Sequence, residues 1–293
     1  MSVPDTEPTP ASLDQALSQY ARLPTFPLAV AWTRAGEPVP PRLKRPQQDL
    51  GIKVAICQTF ALARRYGWGL AVGREDLSCP LAAVAFGYEK SLPFYEQGNL
   101  CVEMYTQDAA AGARSEAAIP KFPHAHHELL LVAPLARATF TPEVVVVYAN
   151  GAQVQRLLAA ALYARGGTLT SHHAARVDCA ELVVRTRDTN EPQVVLPCYG
   201  DRIFGQTGDD EMAFAWPWSW SAELLAGLEG TQQGGVRYPV PSFLRYTGDF
   251  PATYEKLKTM WEEHALRYGL HARVITYGSV ENDLKNIQVL ERF

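Results

Sequence analysis

Val144-Val145-Val146-Val147-Tyr148-Ala149-Asn150-Gly151-Ala152-Gln153 is the stretch on which the fold turns. Four valines and a tyrosine in succession read as a strand covered on both faces, because a solvated face would interrupt the run with polar residues. Asn150 then suits a helix N-cap, and Gln153, three residues on, completes a capping box. Val154, Leu157, Leu158, Ala161 and Leu162 repeat at helical spacing. Gly166-Gly167 closes the helix, and Thr168 to Ser171 predicts the next strand. A strand–helix–strand run implies a right-handed parallel crossover. The expected fold is therefore α/β, a single domain around a mixed, partly parallel sheet with flanking helices.

Outward from this run, residues 1–11 hold three prolines and few apolar side chains and read as a disordered tail. The domain then spans residues 12–293. Ser12 is a candidate cap for a helix to Arg22, and Leu28 to Trp32 is a buried-type strand. Cys57, Phe60, Ala61 and Arg64 share one helical face up to Gly67, a helix stop. Trp68 to Val72 is strand-like, and Leu77-Ser78-Cys79-Pro80 turns into a short helix. Leu129 to Val132, Val194 to Leu196 and Met212 to Trp216 are further strands. Ser219 or Ser221 caps a helix that ends at Gly227. A last helix, Thr253 to Tyr268, would bury Tyr254, Leu257, Trp261, Ala265 and Tyr268.

Of 293 residues, 47% are hydrophobic and 20% charged, so a core can be buried. Net charge is -4 and the isoelectric point about 6.0, with no basic stripe, which argues against a nucleic-acid partner. The apolar runs are too short to span a bilayer. The start, Met-Ser-Val-Pro-Asp-Thr-Glu-Pro, lacks the basic and apolar regions of a signal peptide and predicts a cytoplasmic protein.

Five cysteines, Cys57, Cys79, Cys101, Cys179 and Cys198, are an odd set for disulfides. No Cys-x-x-Cys spacing marks a zinc ribbon, thioredoxin site or ferredoxin run. Buried packing accounts for each cysteine taken alone. Cys57 and Cys79 fall at helix starts, where free N–H groups favour thiolate. The richest segment is Pro197-Cys198-Tyr199-Gly200-Asp201-Arg202, continuing to Asp209-Asp210-Glu211. It follows a buried-type strand, the usual place for a site in an open α/β sheet. Cys198 would be a ligand or nucleophile there, and Arg202 would hold an anionic group. The bland alternative is a glycine-rich turn beside a solvated acid cluster. The glycines fit neither a dinucleotide fingerprint nor a P-loop. His124-Ala125-His126-His127-Glu128 is not the metalloprotease pattern and reads better as an exposed loop.

Several segments, taken in order, carry a resemblance. They are Phe26-Pro27-Leu28-Ala29-Val30, Cys57-Gln58 with its helix, and Leu77-Ser78-Cys79-Pro80. Pro134-Leu135, Pro142-Glu143-Val144-Val145 and Gln153 follow. Cys179, Leu196-Pro197-Cys198-Tyr199-Gly200-Asp201-Arg202 and Asp210-Glu211 complete the set. From about residue 12 to 245 the chain resembles an uncharacterised bacterial and archaeal family, domain-of-unknown-function family 169, followed by a helical extension. The family's recurrent cysteines match Cys57, Cys79, Cys179 and Cys198, while Cys101 has no counterpart. The resemblance thus implies a cysteine-ligated centre, most naturally a [4Fe–4S] cluster, with a structural zinc site as the alternative. The expected role is electron transfer with a redox partner protein, or redox chemistry on a small anionic substrate. Asp201, Arg202, Asp210 and Glu211 would line that substrate or support the ligands. Two other readings stay open. One is a metal-free binding or regulatory module, suggested by Trp216, Trp218 and Trp220; the other is nucleophilic catalysis by Cys198.

Overall fold

Six strands form one sheet in the computed structural model, which describes residues 8–240 and 250–267. They are β1 (Leu28–Thr33), β2 (Leu70–Val72), β3 (Leu129–Pro134), β4 (Val144–Asn150), β5 (Gln193–Val195) and β6 (Glu211–Pro217). The helices are α1 (Pro10–Tyr20), α2 (Pro46–Leu50), α3 (Ile56–Tyr66), α4 (Pro80–Ala85), α5 (Pro93–Glu96) and α6 (Ala109–Ala118). There follow α7 (Gly151–Ala161), α8 (Thr186–Thr189), α9 (Tyr199–Phe204), α10 (Ser221–Gln233) and α11 (Ala252–Arg267). The chain divides into two units, Met1–Tyr238 and Pro239–Phe293. The sheet belongs to the first and α11 to the second.

The strand order is β2-β3-β1-β4-β6-β5, and every neighbouring pair is antiparallel. The partly parallel sheet expected from the strand–helix–strand run is therefore wrong. Thr168 to Ser171 forms no strand. After α7 the chain travels on to β5, and β6, later in sequence, inserts between β4 and β5 and runs against both. The valine run was a sound sign of two covered faces and a poor sign of direction. On one face Val145, Val147, Phe214 and Trp216 meet α1, α7 and α10 through Leu13, Leu17, Leu157, Leu224 and Leu228. On the other, Val144, Val146, Tyr148 and Ala215 meet Phe60 of α3, Ala82 of α4 and Leu182–Val184. Burying each such aliphatic side chain contributes about 1.5–3 kcal/mol, so both layers hold the sheet.

Local cap chemistry explains the helix starts. Asn150 and Gln153 exchange side chain-to-backbone bonds of 3.0 Å each at the head of α7, as the sequence predicts. At α1 the cap is Thr9, not Ser12, and the helix includes two residues assigned to the tail; Ser12 supplies the reciprocal bond. Residues 1–7 lie outside the described residues. Helix α10 runs through Gly227 to Gln233 rather than ending at that glycine. Gly227 is instead where α10 crosses α7, for an added Cβ would lie 1.9 Å from the Ala160 carbonyl oxygen. Gly227→Ala should destabilise the chain by about 1–3 kcal/mol, the usual overpacking cost, seen as a lower melting temperature in thermal denaturation. In α11, Tyr254, Leu257 and Trp261 are exposed rather than buried. The side chain of Ala265 and all of Tyr268 lie outside the described residues.

His127, only 6% exposed, packs between Phe122 and Trp32. Burial, then the charges of Arg187, His126 and Arg34, hold its pKa down to about 4. The unfolded chain therefore takes up a proton near pH 6.5 that the folded chain refuses until about pH 4. This contribution to stability is complete above pH 6.5 and is lost as pH falls through that window. Melting temperature should accordingly fall more steeply from pH 6.5 to 4 in the natural chain than in His127→Phe. Parallel melting curves for the two would contradict this.

Candidate functional site

Four cysteines arrive at one place from four segments. Cys57 lies in the first turn of α3, whose start is capped by the Gln58 side chain accepting from the Ala55 N–H at 2.8 Å. Cys79 is the N-cap of α4, with Pro80 at the first helical position, where its missing N–H costs nothing. Cys179 enters a π-helical turn, Ala180–Arg185. Such turns are rare and frequent at functional sites. Cys198 follows β5 and is the N-cap of α9. Since α3, α4 and the π-helical turn all cover the same sheet face, the four thiols line one cavity of about 520 Å³. Cys101 is buried outside this lining.

Two aspartates share the cavity wall. Asp178 and Asp201 are both buried, and each lies near enough to the other, and Asp178 to the Cys198 thiol, to perturb its titration. Burial raises the pKa of both, and two adjacent carboxyls cannot easily ionise together. Tyr148, on β4, donates to Asp201 Oδ2 at 3.2 Å, and the Arg64 guanidinium lies 4.1 Å from the Tyr148 ring centre. Arg64 in turn pairs with Glu211 at 2.9 Å, as does Arg65. Burial alone would raise the Glu211 pKa, but its bonds from Arg64 and the Gly208 N–H outweigh this and lower it. Arg176 completes the wall and forms a buried ion pair with Glu116 of α6.

The helix-start argument for an ionised Cys57 fails. Burial, then Asp201 and Asp178, push its pKa upward. Burial and Asp178 push Cys198 up to about 12, and burial raises Cys179 as well. Without a bound cation these three thiols keep their protons. The segment leading to Cys179 is strained, because Ala175 and Val177 adopt left-handed φ of 60° and 52°. A β-branched residue there is a steric outlier, and such strain concentrates at functional sites.

Among the residues singled out in the sequence, Asp201 reaches the cavity. Arg202 does not line it; the side chain donates to the Gly208 carbonyl at 2.6 Å and faces Asp209. Asp210 is exposed, and Glu211 is held by Arg64 and Arg65. His124 and His126 are exposed in a turn. Trp216 and Trp220 are core residues whose indole N–H groups donate to Ser221 Oγ and the Asn190 carbonyl, each at 3.1 Å. Sequence reasoning missed Arg176, Asp178 and Tyr148. Arg64 was placed on the apolar face of its helix, and a charge on such a face is the signature of a buried ion pair. Among the described residues, no group of three or more His, Cys, Asp or Glu side chains is gathered so as to hold a metal ion.

The sequence pattern of domain-of-unknown-function family 169, described as uncharacterised ArCR, matches residues 16–227. The chain belongs to this family. The family-169 span contains all six strands and all four cavity cysteines. An uncharacterized protein of Methanocaldococcus jannaschii is 24% identical over 180 residues, 60% of this chain and 77% of that protein. No solved structure matches. No helix among the described residues of this family-169 chain is long and apolar enough to cross a membrane.

Proposed function

We propose that this family-169 chain binds a [4Fe–4S] cluster through Cys57, Cys79, Cys179 and Cys198 and serves electron transfer or redox chemistry on a small molecule. The observation that carries the reading is the convergence of four thiols, far apart in sequence, on one cavity. Cys₄ is the usual ligand set for such a cluster.

When bound, the cluster would supply a one-electron redox couple whose potential follows burial and hydrogen bonding at sulfur. Asp178 lies beside Cys198 and would support it as a ligand. Tyr148 and Arg64 hold Asp201 in place in the same wall. Binding must displace the thiol protons, so affinity rises with pH. Cys198 as a free nucleophile fares worse, because its thiol is un-ionised at neutral pH. The metal-free module loses its main motive with Trp216 and Trp220 in the core.

The test is anaerobic purification followed by visible absorbance and iron and sulfide analysis. The expected result is a brown protein with about four irons per chain, and a colourless, iron-poor Cys179→Ser variant. A protein that stays colourless and iron-free after reconstitution with ferrous iron and sulfide overturns the reading. About one zinc per chain would then assign the cysteines to a structural zinc site.

A further inference from the structure

A second cavity, of about 630 Å³, lies on the other side of Cys79. It shares Ser78, Cys79, Pro80 and Leu81 with the cysteine cavity, so the first turn of α4 is a common wall. The volume falls within the range of small-molecule sites. Its lining is mainly apolar: Leu77, Leu81, Val84, Leu92, Phe94 and Leu100. Leu92 and Phe94 are 64% and 59% exposed at its edge. Apolar side chains left in water around a concave surface mark a binding site more often than chance.

The polar groups of the lining do not balance. Arg74 and Glu89 neutralise each other in an ion pair. Lys90 also lines the cavity and has no ion-pair partner among the described residues, and no acidic side chain other than Glu89 lines it. His124 adds a second basic group. What complements the cavity is an apolar body carrying one negative charge. One lysine without a free arginine beside it supplies a point charge, which suits a single carboxylate.

We propose that this cavity binds a small carboxylic acid with an aromatic or short aliphatic body, its carboxylate at Lys90. That the acid is the substrate of the neighbouring centre rests on the cluster proposed above; that it binds does not.

The test is calorimetric titration of the full chain, purified anaerobically, with 3-phenylpropionate and with its uncharged amide, alongside iron analysis of each sample. The acid should bind at least tenfold more tightly than the amide. Lys90→Ala, an exposed position that leaves the fold intact, should remove that preference. Val84→Trp should fill the cavity from α4 and abolish binding of both. The proposal is overturned if the acid does not bind, binds no better than the amide, or binds equally well to Val84→Trp. An iron-free protein that binds the acid would retain this site and remove the cluster. An iron-loaded protein that ignores the acid would do the reverse.

Discussion

Arg64→Met should lower the stability of the chain by about 3–5 kcal/mol, the cost of removing one partner from a buried ion pair. Arg64 is 1% exposed. Its Nη1 donates to Glu211 Oε1 at 2.9 Å, and its Nη2 reaches the Gly205 and Gln206 carbonyls at 3.2 Å and Thr207 Oγ1 at 3.1 Å. Methionine fills much of the same volume and satisfies none of these acceptors. Glu211 would keep only Arg65 and the Gly208 N–H in a largely buried setting. The loop after α9 would lose one of its two arginine donors, Arg65 still reaching the Gln206 carbonyl at 2.7 Å, and Asp201 would lose the cation behind Tyr148. Arg64→Lys should fall between the two, since an ammonium keeps the charge but not the planar fork. Urea denaturation at pH 7 measures the difference. The sign of its pH dependence also follows. Arg64 helps hold the Glu211 pKa below its unfolded value of 4.5, so the pair's contribution is complete above that pH and is lost as pH falls below it. The gap between the natural chain and Arg64→Met should therefore narrow in acid. A gap under about 1 kcal/mol at pH 7, the worth of an exposed pair, would show that Arg64 is not held as described.

The parts of this architecture that were legible in the sequence are the local ones. The cap at Asn150 and Gln153, the helix from Cys57 to Gly67 and the strands at Leu28, Leu129 and Val144 depend on neighbours a few residues away. The direction of the sheet does not. It depends on β6 inserting between β4 and β5, and nothing within the β4–α7 run encodes that arrival. Thr168 to Ser171 had strand composition without a strand to pair with. The site divides in the same way. The resemblance to family 169 named the four cysteines, but only the packing of α3, α4 and the π-helical turn on one sheet face gives them a common cavity. Arg202 and Asp210 sit near Cys198 in sequence, yet neither lines the cavity. Asp178 adjoins Cys179, but the stretch before it has no periodicity to place it on an element. Arg64 carried the clearer signal, a charge in register with Phe60 on a buried helical face.

Gly112→Ala should be more damaging than its small size suggests. Gly98 and Gly112 bring two backbones together where α6 crosses the turn Asn99–Cys101. A Cβ on Gly112 would lie 2.2 Å from the Gly98 carbonyl oxygen and 2.9 Å from its Cα. A flexible side chain could swing aside, but these are backbone atoms, so the helix itself must move by about an ångström or more to reach an ordinary C···O contact. Overpacking typically costs about 1–3 kcal/mol, and an obstruction by main chain belongs at the upper end. For a chain of this size that is a fall in melting temperature of about 6–12 °C. The consequence extends to the candidate site, since α6 carries Glu116, whose carboxylate holds Arg176 in the cavity wall. Iron retention in the variant should therefore drop along with stability if the cluster is present. Gly151→Ala provides the control. That glycine opens α7, and an added Cβ would meet only Met212 Sδ at 3.8 Å. There the substitution restricts the unfolded chain without a clash and should leave stability unchanged or raise it by about 0.4–1 kcal/mol. Equal melting temperatures for the two variants would mean that α6 does not press against Gly98 as closely as the structure has it.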